Sequence, residues 1–198
     1  MNTIILAINL YYSLNATTRA ISTYLLDYMN IKVSHVTISK WIKKFDKYFK
    51  SISDELTNNL YLGDSDETVV KINGQKHYLW VCIDSETRFV ISWNLNKSRG
   101  SESPFFYLKE LTFLVLLNLL LQMDISNNLI ESFNKRFKSW YKKIKGFKSY
   151  DSANSLISNF IFYYNFIKSH SSLSNLTPAQ VCCINYTHHE KVNWFVKY

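Results

Sequence analysis

The chain has 198 residues, and its hydrophobic content of 47% is enough for a packed core in one domain or two small ones. Only four glycines and two prolines leave little room for a disordered linker. Lysine and arginine together number 23 against 15 acidic residues, and the resulting charge of +8 favours a polyanionic partner, nucleic acid before membrane. The alternative is a basic excess that serves solubility alone.

Two helices joined by a short turn are predicted after a first helical segment at the amino terminus. The first of the pair covers residues 19–28, with Ile21, Leu25 and Tyr28 on one face. The second begins after Ser34, a favourable N-cap residue. Its inward stripe is Ile38, Trp41, Ile42 and Phe45. This pattern is typical of a helix-turn-helix, whose second helix enters a DNA groove.

Polar and basic side chains of that second helix are the candidate DNA contacts. Those in its first turns, which meet bases or the groove in this motif, are His35, Thr37, Ser39 and Lys40. Those near its end, which meet phosphates, are Lys43, Lys44 and Lys47. The alternative is a small helical bundle with a solvated basic face.

A three-stranded meander is predicted in the middle of the chain. The β-branched residues 68–70 precede Asn73-Gly74, and Asn-Gly between apolar runs is the strongest short-range signal for a hairpin. Further apolar runs cover residues 78–83 and 88–93. Asp66 lies at the start of the first strand, where a rigid scaffold is well placed to hold a metal ligand. The alternative is that Asp66 is a solvated strand-end acid.

A helix is predicted from residue 101, and the leucine-rich residues 112–122 after it lack any clean period. The apolar stretch from residue 111 to 123 is shorter than the roughly 20 residues that span a bilayer. We expect a buried helix or a misplaced segment there, not a membrane span.

A strongly basic helix is predicted over residues 126–143. Its buried stripe is Leu129, Phe133, Phe137 and Trp140. Glu131 stands almost alone among lysines and arginines, which makes sense if a divalent cation lies between this carboxylate and a phosphate backbone. The alternative is a helix salt bridge from Glu131 to Lys135.

The last part of the chain is predicted to be helical and aromatic. Residues 150–168 form a long helix whose aromatic stripe belongs to the core, and Thr177 caps a short helix with Pro178 at its first position. The three cysteines, Cys82, Cys182 and Cys183, lack metal-ligand spacing, and we expect reduced core thiols in an intracellular protein.

Taken in chain order, several motifs resemble the DDE transposases of insertion sequences, whose catalytic domain is ribonuclease-H-like and related to retroviral integrases. The motifs are Asp66-Glu67-Thr68 with residues 71–74, Tyr78-Leu79-Trp80 with Ile83-Asp84, residues 127–134, residues 146–149, residues 164–170 and residues 175–179. They cover most of the chain between residues 19 and 184. The resemblance implies an α+β chain in which an N-terminal helix-turn-helix precedes a ribonuclease-H-like domain.

The resemblance also implies the chemistry. Asp66 is similar to the first catalytic Asp of that family, and Glu131 to its closing Glu. Three such carboxylates hold two Mg²⁺ (or Mn²⁺) ions for in-line attack on a DNA phosphodiester. The implied partner is double-stranded DNA at transposon ends, with a second copy or an intact related transposase, in the cytoplasm at the nucleoid. Further DNA contacts beside Glu131 are Lys135, Arg136 and Lys138.

The sequence departs from the family at the second catalytic Asp. Glu131 follows Asp66 by 65 residues, and no predicted strand ending in Asp follows the meander. Asp124 is the only carboxylate in the leucine-rich region and lies too close to Glu131. We therefore expect an internal deletion or a frame disturbance near residues 112–124, and a degenerate transposase without strand transfer.

Three functions remain open from the sequence: an inactive transposase, a DNA-binding protein that occupies transposon ends, and an unstable relic. The predicted boundaries are residues 1–58 for the helix-turn-helix region, 59–184 for an incomplete ribonuclease-H-like domain and 185–198 for a C-terminal tail.

Overall fold

The computed structural model describes residues 3–43, 63–99 and 127–184. These residues fall into two compact units. Residues 3–43 and 155–184 belong to the first, and residues 63–99 and 127–154 to the second. The predicted helix from residue 101, the leucine-rich segment and Phe45 lie outside the described residues.

Three helices open the first unit: α1 (Thr3–Ser13), α2 (Thr18–Met29) and α3 (His35–Lys43). Helix α2 begins after Thr17, whose hydroxyl oxygen accepts a hydrogen bond from the Ala20 N–H at 3.1 Å. It ends at Asn30, which takes a left-handed conformation and donates its N–H to the Leu26 carbonyl. The two helices predicted after the first segment are therefore present.

The core of these helices is aliphatic. Ser34 caps α3 as predicted, because its Oγ accepts the Thr37 N–H at 3.1 Å. The buried aliphatic residues of α2 and α3 are Ile21, Leu25, Ile38 and Ile42. Tyr28 was expected on the same face as Ile21 and Leu25, and this was wrong. Its side chain is 77% exposed and its ring packs against that of Tyr24, 5.1 Å away.

The carboxyl-terminal half of the first unit supports α1. Helix α5 (Tyr150–Phe162) crosses from the second unit into the first and continues as a π-helical turn over Tyr163–Ile167. The Tyr12 ring stacks on that of Tyr163 at 5.1 Å, so α1 packs on this turn. A 3-10 turn (Ser171–Leu173) then leads to the short helix α6 (Pro178–Val181).

Helix α6 begins as predicted. The Thr177 hydroxyl accepts the Gln180 N–H at 3.2 Å, and the Gln180 side chain accepts the Thr177 N–H at 2.9 Å, which completes a capping box. Pro178 occupies the first turn, where its missing N–H costs nothing.

A three-stranded antiparallel sheet forms the centre of the second unit. Its strands are β1 (Gly63–Ile72), β2 (Gln75–Asp84) and β3 (Val90–Asn96), in the order β1-β2-β3. Asn73 and Gly74 both have positive φ, as a type I′ hairpin requires. The predicted meander and the mixed α+β class are confirmed.

Helix α4 (Asn127–Ile144) packs against β1. Its buried residues are Ile130, Phe133, Asn134, Phe137 and Trp140. Leu129, predicted in this stripe, is only half-buried, and Ile130 takes its place. The other three predicted residues, Phe133, Phe137 and Trp140, are buried as predicted, and the stripe also includes a polar side chain.

None of the three cysteines, all of them described, forms a disulfide, but they do not all lie in a core. Cys82 is buried in β2, whereas Cys183 is exposed, so the prediction of core thiols is wrong for Cys183. The backbone turns at Cys183 with a positive φ after the last turn of α6, which keeps this side chain at the surface. Within the described residues, no helix is long and apolar enough to cross a membrane.

Candidate functional site

Asp66 is held on a strand face that packs inward. Side chains alternate along β1, so Asp66 shares its face with Thr68 and Val70, both of which are buried. Asp66 itself is half-buried. Its Oδ1 accepts the N–H of Glu67 at 2.8 Å, and its Oδ2 accepts a hydrogen bond from the Asn134 Nδ2 at 2.8 Å. Both carboxylate oxygens of Asp66 therefore have fixed directions.

Asn134 is the polar residue within the buried stripe of α4. Its side chain is 5% exposed, and within the described part of the chain its Oδ1 accepts no hydrogen bond. The Asn134 amide therefore links α4 to β1 through Asp66, while its own Oδ1 is buried without a hydrogen bond from any residue that the structure describes. Burying a polar atom without a partner costs about 1–3 kcal/mol, so the contact to Asp66 is more than incidental packing.

Sequence reasoning gave Asn134 no role, although a signal was present. Asn134 lies four residues after Ile130 and three before Phe137, which is the spacing of one helix face. Buried polar side chains are nearly always hydrogen-bonded, so a polar residue on an apolar stripe predicts a polar partner on the facing element.

Glu131 stands one turn before Asn134 on the same side of α4. Residues three apart on a helix have Cβ atoms about 5–6 Å apart. Since Asn134 contacts Asp66, the two predicted catalytic carboxylates belong to neighbouring elements around this amide. Glu131 is exposed, and no ion pair joins it to Lys135 in the described structure. The helix salt bridge proposed as its alternative role is absent.

Glu67 has a separate role on the other face of β1. Its Oε1 accepts hydrogen bonds from the Arg99 guanidinium, with Nε at 2.7 Å and Nη2 at 2.5 Å. Arg99 is 73% exposed, so solvent screening makes this pair worth little. The Glu67 carboxylate therefore pairs with Arg99, on the face of β1 opposite to the Asp66 carboxylate.

The described residues provide an incomplete oxygen set for the metal ions of a DDE enzyme. Asp66 and Glu131 bring two carboxylates, the kind of ligand that Mg²⁺ and Mn²⁺ prefer. No group of three or more Asp, Glu, His or Cys side chains able to hold a metal ion occurs within the described ranges. A two-metal site needs a third carboxylate, and the acids Glu102, Glu110 and Asp124 lie outside those ranges. Within the described ranges, the chain therefore supplies two of the three carboxylates that such a site uses.

The candidate DNA contacts fall into two groups, one in each compact unit. In α3, His35, Lys40 and Lys43 are exposed, whereas Thr37 and Ser39 are half-buried. The hydroxyl of Thr37 lies 3.0 Å from that of Ser34 and takes part in the cap. Lys44 and Lys47 lie outside the described residues. The group on α4 is exposed throughout: Lys135, Arg136 and Lys138. DNA binding by either group stays a prediction.

Two family models match the chain, on either side of residues 114–124. A transposase DDE domain of the IS240 type matches residues 64–113, which contain Asp66 and the sheet. An integrase core domain matches residues 125–178, which contain Asn134 and Glu131. No curated protein matches the chain. Each match covers about a quarter of the sequence, and together they support an insertion-sequence transposase with a DDE, ribonuclease-H-like domain.

Proposed function

We propose that the chain is a degenerate DDE transposase that binds double-stranded DNA at transposon ends but has lost the second catalytic aspartate, and with it strand transfer. The hydrogen bond from Asn134 to Asp66 is the observation that carries the transposase assignment. It joins the strand matched by one family model to the helix matched by the other. This contact supports the proposal, because α4 also carries Glu131.

The loss of the second aspartate is supported by the interruption between the two family matches. Residues 114–124 belong to neither match, and they coincide with the leucine-rich segment where the deletion was predicted. The only acid in this interval is Asp124, seven residues before Glu131. A segment this short does not replace a strand, a loop and a helix, because a strand alone commonly takes five or six residues.

Asp66 and Glu131 are the residues that would hold a divalent cation at a DNA phosphate. A cation held there would supply polarisation of the phosphoryl oxygen and partial neutralisation of charge on the attacking and leaving oxygens. The chain's own contribution is position. Asn134 orients the Asp66 carboxylate, and the rigid strand keeps it in place. Without a third carboxylate, we expect binding of DNA without efficient cleavage.

A plasmid-nicking assay tests this proposal. Supercoiled plasmid is incubated with the protein and Mg²⁺ or Mn²⁺, and Asp66→Asn, Glu131→Gln and Glu86→Gln are compared with the unchanged protein. Glu86 is an exposed acid in the turn between β2 and β3, which makes it the matched control. We expect no nicking above that of Asp66→Asn. Robust nicking that Asp66→Asn abolishes and Glu86→Gln retains would contradict the loss of activity.

DNA binding is measured separately, because an inactive nuclease and an unfolded protein look alike in a nicking assay. The exposed lysines of α3 are proposed to meet phosphates, so Lys40→Gln together with Lys43→Gln is expected to weaken binding to a duplex. Each lost phosphate contact reduces the slope of log K against log salt by about 0.9. An unchanged slope for this pair would remove α3 from the DNA interface.

A further inference from the structure

A cluster of lysines lies where β1, the β1–β2 hairpin and α4 end together. We call it the hairpin lysine patch, and its members are Lys71, Lys76, Lys142, Lys143, Lys145 and Lys148. All six belong to the second compact unit, and all are exposed except Lys143, which is half-buried. None of them belongs to the candidate DNA contacts predicted from the sequence.

The backbone beneath the patch is held by hydrogen bonds to two residues, Tyr141 and Phe147. The Lys71 N–H donates to the Tyr141 Oη at 2.6 Å, and the Lys71 carbonyl accepts the Phe147 N–H at 2.9 Å. The Asn73 N–H donates to the Phe147 carbonyl at 2.8 Å, so residue 147 forms a parallel bridge beside Ile72. The lysines therefore stand on a preorganised surface, and little backbone entropy is lost when a ligand binds.

No ion pair neutralises Lys71, Lys76, Lys145 or Lys148 within the described residues. Lys71 lies directly opposite Lys76 in the β1–β2 ladder, and like charges at such positions are destabilising. Asp151, an exposed residue one turn after Lys148, is the only acid within residues 71–76 and 142–151.

Lys145 adds a second unfavourable feature. It has a φ of +58°, at the position after α4 where glycine is the usual residue. A non-glycine residue in this region costs about 1–2 kcal/mol. Stabilisation of the helix dipole accounts for Lys142 and Lys143 in the last turn of α4. It does not account for Lys71 and Lys76, which lie on strands.

We propose that the hairpin lysine patch binds the phosphate backbone of duplex DNA at a distance from the catalytic carboxylates. This inference depends on the proposed transposase function for the identity of the polyanion. Lys71 is five residues after Asp66 on β1, about 17 Å along the strand at roughly 3.3 Å per residue, and the alternation of side chains puts it on the opposite face of the sheet. The patch therefore holds a stretch of DNA apart from the phosphate at Asp66.

The test is salt-dependent binding to a 30-base-pair duplex of arbitrary sequence, because phosphate contacts are independent of sequence. The variant carries Lys71→Gln, Lys76→Gln, Lys145→Gln and Lys148→Gln, which keep much of the side-chain length and remove the charges. Loss of three or four phosphate contacts is expected to lower the log–log salt slope by about 3 and the affinity at least tenfold. Lys76→Gln alone is compared with Arg88→Gln, since Arg88 lies in the β2–β3 turn at the opposite end of the sheet.

A footprint on the unchanged protein keeps the test valid if the fourfold variant does not fold. Lysines are acetylated with and without the duplex, and modification is read by mass spectrometry. We expect Lys71, Lys76 and Lys148 to be protected. Equal acetylation with and without the duplex, in a protein that binds it, would overturn the patch and leave the transposase function intact. A protein that binds no duplex at all would overturn the proposed function itself.

Discussion

Asn134 illustrates how a single amide links the fold to the candidate site. Its hydrogen bond to Asp66 has a carboxylate acceptor, and bonds to charged groups contribute about 1.5–3 kcal/mol. We expect Asn134→Ala to lower the free energy of unfolding by about 2–3 kcal/mol, since a cavity adds to the lost bond. Ser132→Ala, at an exposed position on the same helix, is expected to change it by less than about 0.5 kcal/mol.

A double-mutant cycle separates the bond from the packing. Urea unfolding of Asn134→Ala, Asp66→Ala and the double variant is expected to give a coupling energy of about 1–2 kcal/mol. A coupling energy near zero would show that Asn134 stabilises α4 by packing alone, and that it does not orient Asp66.

Lys143 predicts a pH dependence of stability. Partial burial lowers its pKa from 10.5 to about 8. Below pH 8 the amine is charged in both the folded and the unfolded state, so the cost of burying the charge is fully present. Between pH 8 and 10.5 the folded state gives up its proton while the unfolded state keeps it, and the free energy of unfolding therefore rises with pH in this window.

Lys143→Met removes this titration and keeps the apolar stem. Thermal melting is expected to show the variant more stable relative to the unchanged protein at pH 7 than at pH 10. Lys142→Met is the control, because Lys142 is exposed beside it. The prediction is wrong if the difference between the Lys143 variant and the unchanged protein stays constant from pH 7 to pH 10.

At the scale of the elements, Gly146 closes the turn between α4 and the β-bridge that Phe147 forms with Ile72. It has a φ of +107°, and a Cβ added there would meet the Lys71 carbonyl oxygen at 3.4 Å. We expect Gly146→Ala to lower the free energy of unfolding by about 1–2 kcal/mol. Gly74→Ala serves as the comparison, because Gly74 also has a positive φ but a Cβ there meets nothing within 4 Å. Equal losses in the two variants would mean that the close approach to Lys71 adds no cost.

The elements themselves were predictable where local chemistry decides them. The Asn73-Gly74 hairpin and the Ser34 and Thr177 caps follow from residue type and spacing, because each is a short-range interaction. The hydrogen bond between Asn134 and Asp66 was not predicted, because it depends on which face of α4 meets β1. The π-helical turn over Tyr163–Ile167 was not predicted either, because its sequence continues the aromatic pattern of an ordinary helix.

At the scale of the whole molecule, the first unit is assembled from both ends of the chain. The aromatic stripe of residues 150–168 predicted a buried helix, but periodicity does not reveal which element covers it. In the structure, Tyr12 contacts both Phe160 and Tyr163, with ring centroids 5.9 Å and 5.1 Å apart. The hydroxyls of Ser13 and Tyr163 are also hydrogen-bonded. Helix α1 therefore depends on residues that follow it by about 150 positions.

This assembly predicts the effect of removing residues 155–198. Helices α2 and α3 pack on α1, and α1 packs on the π-helical turn, so the truncated chain is expected to lose the helices of residues 3–43 although their sequence is intact. Limited trypsin digestion measures this directly, because both units contain cleavable sites. We expect Arg19 and Lys40 to become rapidly cleaved while Lys76 in the sheet stays protected. Protection of α2 and α3 in the truncated chain would contradict this prediction, because it would mean that the α2–α3 pair folds without the carboxyl-terminal segment. A DNA-binding role for the α2–α3 pair would then not require the rest of the transposase.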